Sequence, residues 1–155
     1  MKKFKFQLET LLKVTRRKKD EAEIKFAEAS RVLEERRAQL QIYLQEMQQG
    51  QRDYEALAKE GARITVGTLM TYNSFLTWKR EQIEMQQGLI LEARKEKQIK
   101  LDELLKLMNK LKSIEQLKEK RWQQYQEEML KEEQKMLDEI GLQLTMRRAN
   151  GEGMS

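Results

Sequence analysis

The sequence contains no cysteine, no histidine and no proline. Without cysteine it forms neither disulfides nor thiolate metal sites. Without histidine it lacks both the commonest general base and the commonest metal ligand. Aromatic residues make up only 6%, and no apolar run approaches the roughly 18 residues of a membrane span. There is no Walker-type phosphate loop and no dinucleotide-binding glycine fingerprint. Serines and threonines are few, none has a base beside it, and the carboxylates are scattered over polar stretches. No catalytic group, metal site or cofactor is therefore expected, and the chain reads as a non-enzyme. The opening lysines and phenylalanines turn charged by Lys13, so no signal-peptide core is expected either.

What the chain does have is charge, 37% of its 155 residues, and strong helix formers. From about Thr68 to Arg148 only Gly88 and Gly141 interrupt those formers. Apolar residues recur there in steps of three and four or their sums, through Leu69, Tyr72, Leu76, then Ile83, Ile90, Ala93, then Leu104, Leu107, Leu111 and Ile114. That is a heptad seam, the pattern of a coiled coil. Disorder is the competing reading of so much charge, but disordered chains do not keep apolar residues on a stripe.

An earlier seam supplies the partner. It runs Leu8, Leu12, Thr15, Lys19, Ala22, Phe26, Ala29, Leu33, Arg36, Leu40, Tyr43, Met47, Gly50, Tyr54, Leu57, in strict steps of four and three. This predicts a first helix over about 7–59. Thr15, Lys19 and Arg36 are polar seam positions that weaken pairing and fix register. Gly50 reads as a point of flexibility. Residues 60–67 break the pattern: Gly61 suits the position after a helix end, and Thr65 or Thr68 suits the cap of the next helix. The expectation is an all-α fold, an antiparallel two-helix coiled-coil hairpin, with helix 1 over about 7–59, a turn over about 60–67, helix 2 over about 68–148 and a tail. If Leu57 faces Leu69, paired residue numbers total about 126. Leu8 then lies near Lys118, and everything from about Arg121 overhangs. Each paired arm of about 50 residues is roughly 75 Å long.

Three surfaces stand out. The start of the chain is basic: Lys2, Lys3, Lys5, Lys13, Arg16, Arg17, Lys18 and Lys19 face only Glu9. Nucleic acid, a membrane surface, an acidic protein or plain solvent all suit it. Tyr72, Phe75, Leu76 and Trp78 cluster at the start of helix 2. Only Tyr72 and Leu76 fit the seam, so Phe75 and Trp78 should project partly to solvent as anchors of a protein contact, or else widen the seam near the hairpin tip. On the overhang, Trp122, Tyr125, Met129, Met136 and Ile140 form an unpartnered stripe, open to a partner, a third helix or self-association.

In order along the chain, Phe-x-Leu-x-x-Leu-Leu (Phe6, Leu8, Leu11, Leu12), Tyr-x-x-Phe-Leu (Tyr72, Phe75, Leu76) and Glu-Gln-Lys-x-x-Asp-Glu (Glu133, Gln134, Lys135, Asp138, Glu139) resemble the FliJ family. That family is a small coiled-coil component of the flagellar type III export apparatus. The resemblance covers nearly the whole chain. It implies a two-helix stalk similar to the γ subunit of rotary ATPases. Such a stalk inserts into the hexameric FliI-type ATPase, links it to the FlhA-type export gate, associates with a FliH-type regulator and binds export chaperones. By this analogy the ring contact falls on Arg16, Arg17 and Lys18 with Trp122, Tyr125 and Met129. The gate contact carries over onto Phe75, with Tyr72, Lys79, Gln82 and Gln86 on helix 2 and Tyr43, beside Leu40 and Met47, on helix 1. Lys79, Gln82 and Gln86 depart from the apolar character often seen there.

The resemblance also implies a cytoplasmic protein at the inner face of the cell membrane, held there through partners, with no nucleic acid bound and a monomeric free state. The stalk of an injectisome, a general chaperone, a nucleic-acid-binding coiled coil and a structural dimer are the alternatives.

Overall fold

The computed structural model describes residues 2–59 and 64–152. The fold is all-α: two helices packed against each other as a hairpin, α1 over Glu9–Lys59 and the longer α2 over Val66–Glu152. Gly61, expected after the end of α1, lies outside the described residues. Val66 and Gly67, expected in the turn, open α2 instead. Their start is set by Thr65, whose Oγ1 accepts from the Thr68 amide at 3.1 Å and whose carbonyl accepts from the Leu69 amide. Of the two threonines expected as caps, Thr65 takes the role, satisfying an amide that has no partner within the helix. α2 continues to Glu152, a few residues past the expected end.

Packing divides the chain into two compact units, one of Met1–Arg17 with Met108–Ser155, the other of Lys18–Leu107. Each has its own core, and we call them the terminal unit and the middle unit.

In the middle unit Leu33, Ile90 and Ala93 form the dry centre, with Val32 and Leu40 against it. The first helical seam reads true here. Ala22 and Ala29 are buried, and Phe26, Leu40, Tyr43, Met47, Gly50 and Tyr54 are half-buried. Arg36 and Leu57 are the exposed exceptions. Tyr54 stacks on Tyr72, ring centroids 4.1 Å apart. Those numbers total the expected 126, so the register derived from Leu57 and Leu69 holds in this unit. Lys19 stays near the surface, bound to Asp20 and Glu23 at 3.0 Å each. These hydrogen bonds, Asp20 first, raise its ammonium above the ordinary value.

In the terminal unit Leu12 is fully buried and Thr15 nearly so. Leu12 packs with Leu111, Ile114 and Phe6. Residues 2–6 precede α1 as an extended strap, followed by a turn in which the Glu9 amide donates to the Phe6 carbonyl at 3.1 Å. Phe4 meets Trp122 edge-on at 5.1 Å, and Phe4 and Trp122 again total 126. The packed part of α2 therefore extends past Arg121, further than the helical seam alone predicts. From Lys131 to Gly151 every residue is exposed.

Charge pairs tie α1 to α2 in this unit. Lys118 Nζ lies 2.9 Å from Glu9, and Arg16 lies 3.4 Å from Glu115. The hydrogen bond from Lys118 holds the Glu9 carboxyl below its ordinary value of 4.5, with the charges of Lys118, Lys13 and Arg16 adding to it against desolvation. A carboxylate lowered in the folded state stabilises above its unfolded pKa, and loses that contribution as pH falls through the folded value. Lys118→Gln should therefore melt earlier than the parent at pH 7. The gap should close once acid has protonated Glu9 in both. Thermal melts at neutral pH and at pH 3 check this, and an equal gap at both would remove Glu9 from the account.

Candidate functional site

Half-way along the middle unit, a lysine sits where a coiled coil wants an apolar residue. Stepping by threes and fours from Tyr72 gives Leu76, Lys79, Ile83, Gln86, Ile90 and Ala93. Lys79 and Gln86 are 4% exposed. A buried ammonium is tolerated only when it is paired. Lys79 Nζ is bound by the Glu46 carboxylate and donates to Gln82 Oε1 at 3.1 Å. It also lies 4.7 Å from the Trp78 ring centroid, 5.3 Å from Tyr43 and 6.0 Å from Phe75. These are distances at which aromatic faces attract a cation. Gln86 Nε2 donates at 2.8 Å to the Arg36 carbonyl, using that oxygen's second lone pair. Among the described residues no buried side-chain nitrogen or oxygen lacks a partner.

Of the gate patch expected from the resemblance, Lys79 and Gln86 lie buried inside the hairpin with their polar groups bonded there. Tyr43, Tyr72, Phe75 and Gln82 are half-buried, each keeping an exposed edge, and Trp78 stands 54% exposed. Phe75 widens the seam near the tip, the alternative to a purely solvent-facing anchor. Its ring lies over Gly50, where an added Cβ would stand 2.3 Å from Cε1 and 2.7 Å from Cζ. Gly50 is therefore a seat for an aromatic ring. With Tyr54, Leu57, Thr68 and Tyr72 the same pair lines an open groove of about 720 Å³ near the α1 C-terminus. Its wall carries one carboxylate, Asp53, and no nucleophile–base pair.

The ring residues expected from the resemblance also sort unequally. In the terminal unit Arg16 and Arg17 are exposed, with Arg16 paired to Glu115. Lys18, at the edge of the middle unit, is exposed too. Trp122 and Tyr125 are partly covered by the strap: Phe4 lies 5.1 Å and 5.5 Å from their centroids, and the Tyr125 hydroxyl donates to the Lys2 carbonyl. Lys2, Lys3 and Lys5 line a shallow cleft with Glu128, Met129 and Glu132, so a basic strap lies on an acidic stretch of α2. Met129 is half-buried. The sequence signal for the strap was available. Continuing the total of 126 back past the start of α1 places Phe4 opposite Trp122.

Among the described residues no cluster of acidic side chains could hold a metal ion, and no helix is long and apolar enough to cross a membrane. What the arrangement offers, among the described residues, is exposed aromatic edges, a basic stretch and an exposed helix end.

Comparison with curated proteins finds no match, and neither does comparison with solved structures. The family model described as the flagellar FliJ protein matches residues 4–150, from the strap to the last turns of α2. With that match over nearly the whole length, and a two-helix hairpin with the longer helix second, the chain belongs to the FliJ family, non-catalytic components of the flagellar export apparatus.

Proposed function

We propose that this chain is the stalk of the flagellar export machine, a hairpin that enters a hexameric FliI-type ATPase and promotes its assembly and turnover. The observation that carries the reading is the end of α2. From Lys131 to Gly151 it remains helical with every residue exposed. A helix of this length is marginal alone in water and gains most of its stability from packing, so this end is built to be covered. Arg16, Arg17 and Met129 are the accessible neighbours within the terminal unit, while Trp122 and Tyr125 act behind the strap. Lys18 contributes its exposed charge to the same basic stretch of α1.

The second contact is with the FlhA-type gate. It uses the exposed edges of Tyr43, Tyr72, Phe75 and Gln82 beside Trp78, held in place by the buried Lys79 and Gln86. Association with a FliH-type regulator and with export chaperones belongs to the same reading. So does a position at the inner face of the cell membrane, reached through those partners.

The test is ATP hydrolysis by the cognate FliI-type ATPase, with the full chain and with a version ending at Leu130. That end point keeps Trp122, Tyr125 and the strap intact. Stimulation by the full chain, with loss of most of it on truncation, is the expected result. Equal stimulation by both would take the exposed helix out of the ring contact. No stimulation by either would end the stalk reading.

A further inference from the structure

Phe4 and Phe6 hold the strap to α2 on different terms. Phe6 is a core residue, packed on Leu12, Leu111 and Ile114, with the Arg121 guanidinium 6.0 Å from its ring. Phe4, two residues earlier, is only half-buried, and Lys2, Lys3 and Lys5 around it are exposed. Among the described residues, one hydrogen bond ties residues 2–5 to α2, from the Tyr125 hydroxyl to the Lys2 carbonyl. The attraction of these lysines to Glu128 and Glu132 acts between exposed groups, where water and salt weaken it. Open clefts border the same residues, one of about 260 Å³ beside Glu128 and Met129, the other of about 450 Å³ beside Glu9 and Lys118. Residues 2–5 therefore rest on α2 without the close packing of a core, whereas Phe6 is fixed in one.

What lies under Phe4 is the first part of a longer stripe. The rings of Trp122 and Tyr125 stack with centroids 5.6 Å apart. Steps of four and seven carry the line on through Met129 to Met136 and Ile140, which stand 63% and 51% exposed. A partner that follows this stripe back from the exposed turns of α2 meets the strap at Tyr125. We propose that residues 2–5 are a displaceable cover, an autoinhibitory contact that swings away about Phe6 before the ATPase ring closes on Trp122 and Tyr125. The proposal rests on the stalk reading and adds a step to it. With the cover down, the ring reaches Met129 and the turns beyond it. With the cover lifted, it gains a stacked aromatic pair, the kind of side chain that dominates protein contacts. Binding that needs the lifted state is weakened by the fraction of the time that state is populated.

The test compares the parent, a chain lacking residues 2–5 and a chain with its strap locked, each in ATP hydrolysis by the cognate FliI-type ATPase. For the lock, Lys3→Cys and Glu132→Cys, which line one cleft, are joined by a flexible bis-maleimide with a reducible disulfide at its centre. The chain has no other cysteine to react. Mass spectrometry identifies the internal link, and circular dichroism shows that each form keeps its helices. The shortened chain should reach half-maximal stimulation at about one-tenth of the parent's concentration. The locked chain should lose most of its stimulation and regain it on reduction. A locked chain as active as its reduced form overturns the cover and leaves the stalk reading standing. So does a shortened chain that is no better than the parent, or one that is worse, which would make the strap part of the contact. An internal link that does not form removes the placement on which the cover depends. No stimulation by the parent, the shortened chain or the reduced chain ends the stalk reading and this proposal together.

Discussion

Replacing Phe6 by alanine should free the first residues of the chain from α2 while both helices remain. Phe6 is 8% exposed and packs on Leu12, Leu111 and Ile114. Truncating a buried phenylalanine costs about 3–5 kcal/mol in a closed core. Here the loss falls mainly on the strap, because residues 2–6 have no helical hydrogen bonds of their own to hold them. Their remaining ties are the Phe4 contacts, one carbonyl bound by the Tyr125 hydroxyl, and the cleft in which the strap lysines lie beside Glu128 and Glu132. These exposed ties do not hold once the anchor is gone. Trp122 then loses its edge-on neighbour and meets water. In a Trp78→Phe background, where Trp122 is the sole indole, its emission should shift to the red. Trypsin should also cut after Lys5 far faster than in the parent. An unchanged spectrum and cleavage rate would show that Phe4 alone fastens the strap.

The second large effect is expected at Leu33→Ala. Leu33 is 2% exposed and faces Ile90 and Ala93. The opposite small side chain leaves little that can move in to fill the space, so the loss should be about 2–4 kcal/mol from removed contacts and residual cavity together. Small domains hold only about 5–15 kcal/mol in total, and this one spends several seam positions on lysine, glutamine and threonine. The denaturation midpoint in urea should fall clearly with its slope unchanged, the signature of lost stability without a change in exposed surface. A loss below about 1 kcal/mol would mean that water reaches this layer and that the dry centre lies elsewhere.

The fold was largely legible in the sequence because a coiled coil writes its contacts as arithmetic. Steps of three and four gave the buried face of α1 almost residue by residue, from Leu12 to Tyr54. One assumed pair, Leu57 with Leu69, gave the register seen at Tyr54 with Tyr72. The site was less legible, for the same reason. Following apolar residues alone skips Lys79 and Gln86, polar residues that occupy buried seam positions. Hydropathy misreads a lysine whose charge is met by Glu46 and three rings. The alternation of lysine with Phe4 and Phe6 suits either an extended segment or a helix start, and an extended segment has no helical period by which to place it. Its place is fixed by Phe4 and Phe6 finding partners more than a hundred residues away. Gly50 was read through its backbone freedom, when what mattered was the side chain it lacks.

That missing side chain has a further consequence. A seam of threes and fours looks much the same after sliding by seven residues, so antiparallel helices need something that distinguishes one stagger from the next. The notch at Gly50 is such a key. With Phe75 seated in it, the middle unit closes in the observed alignment. Sliding by one heptad in either direction would drive the Phe75 ring against Tyr43 or Leu57, side chains with no hollow to receive it. A glycine inside a helix costs about 1 kcal/mol of intrinsic preference relative to alanine. Here that loss is tied to choosing a single alignment from a ladder of near-equivalent ones.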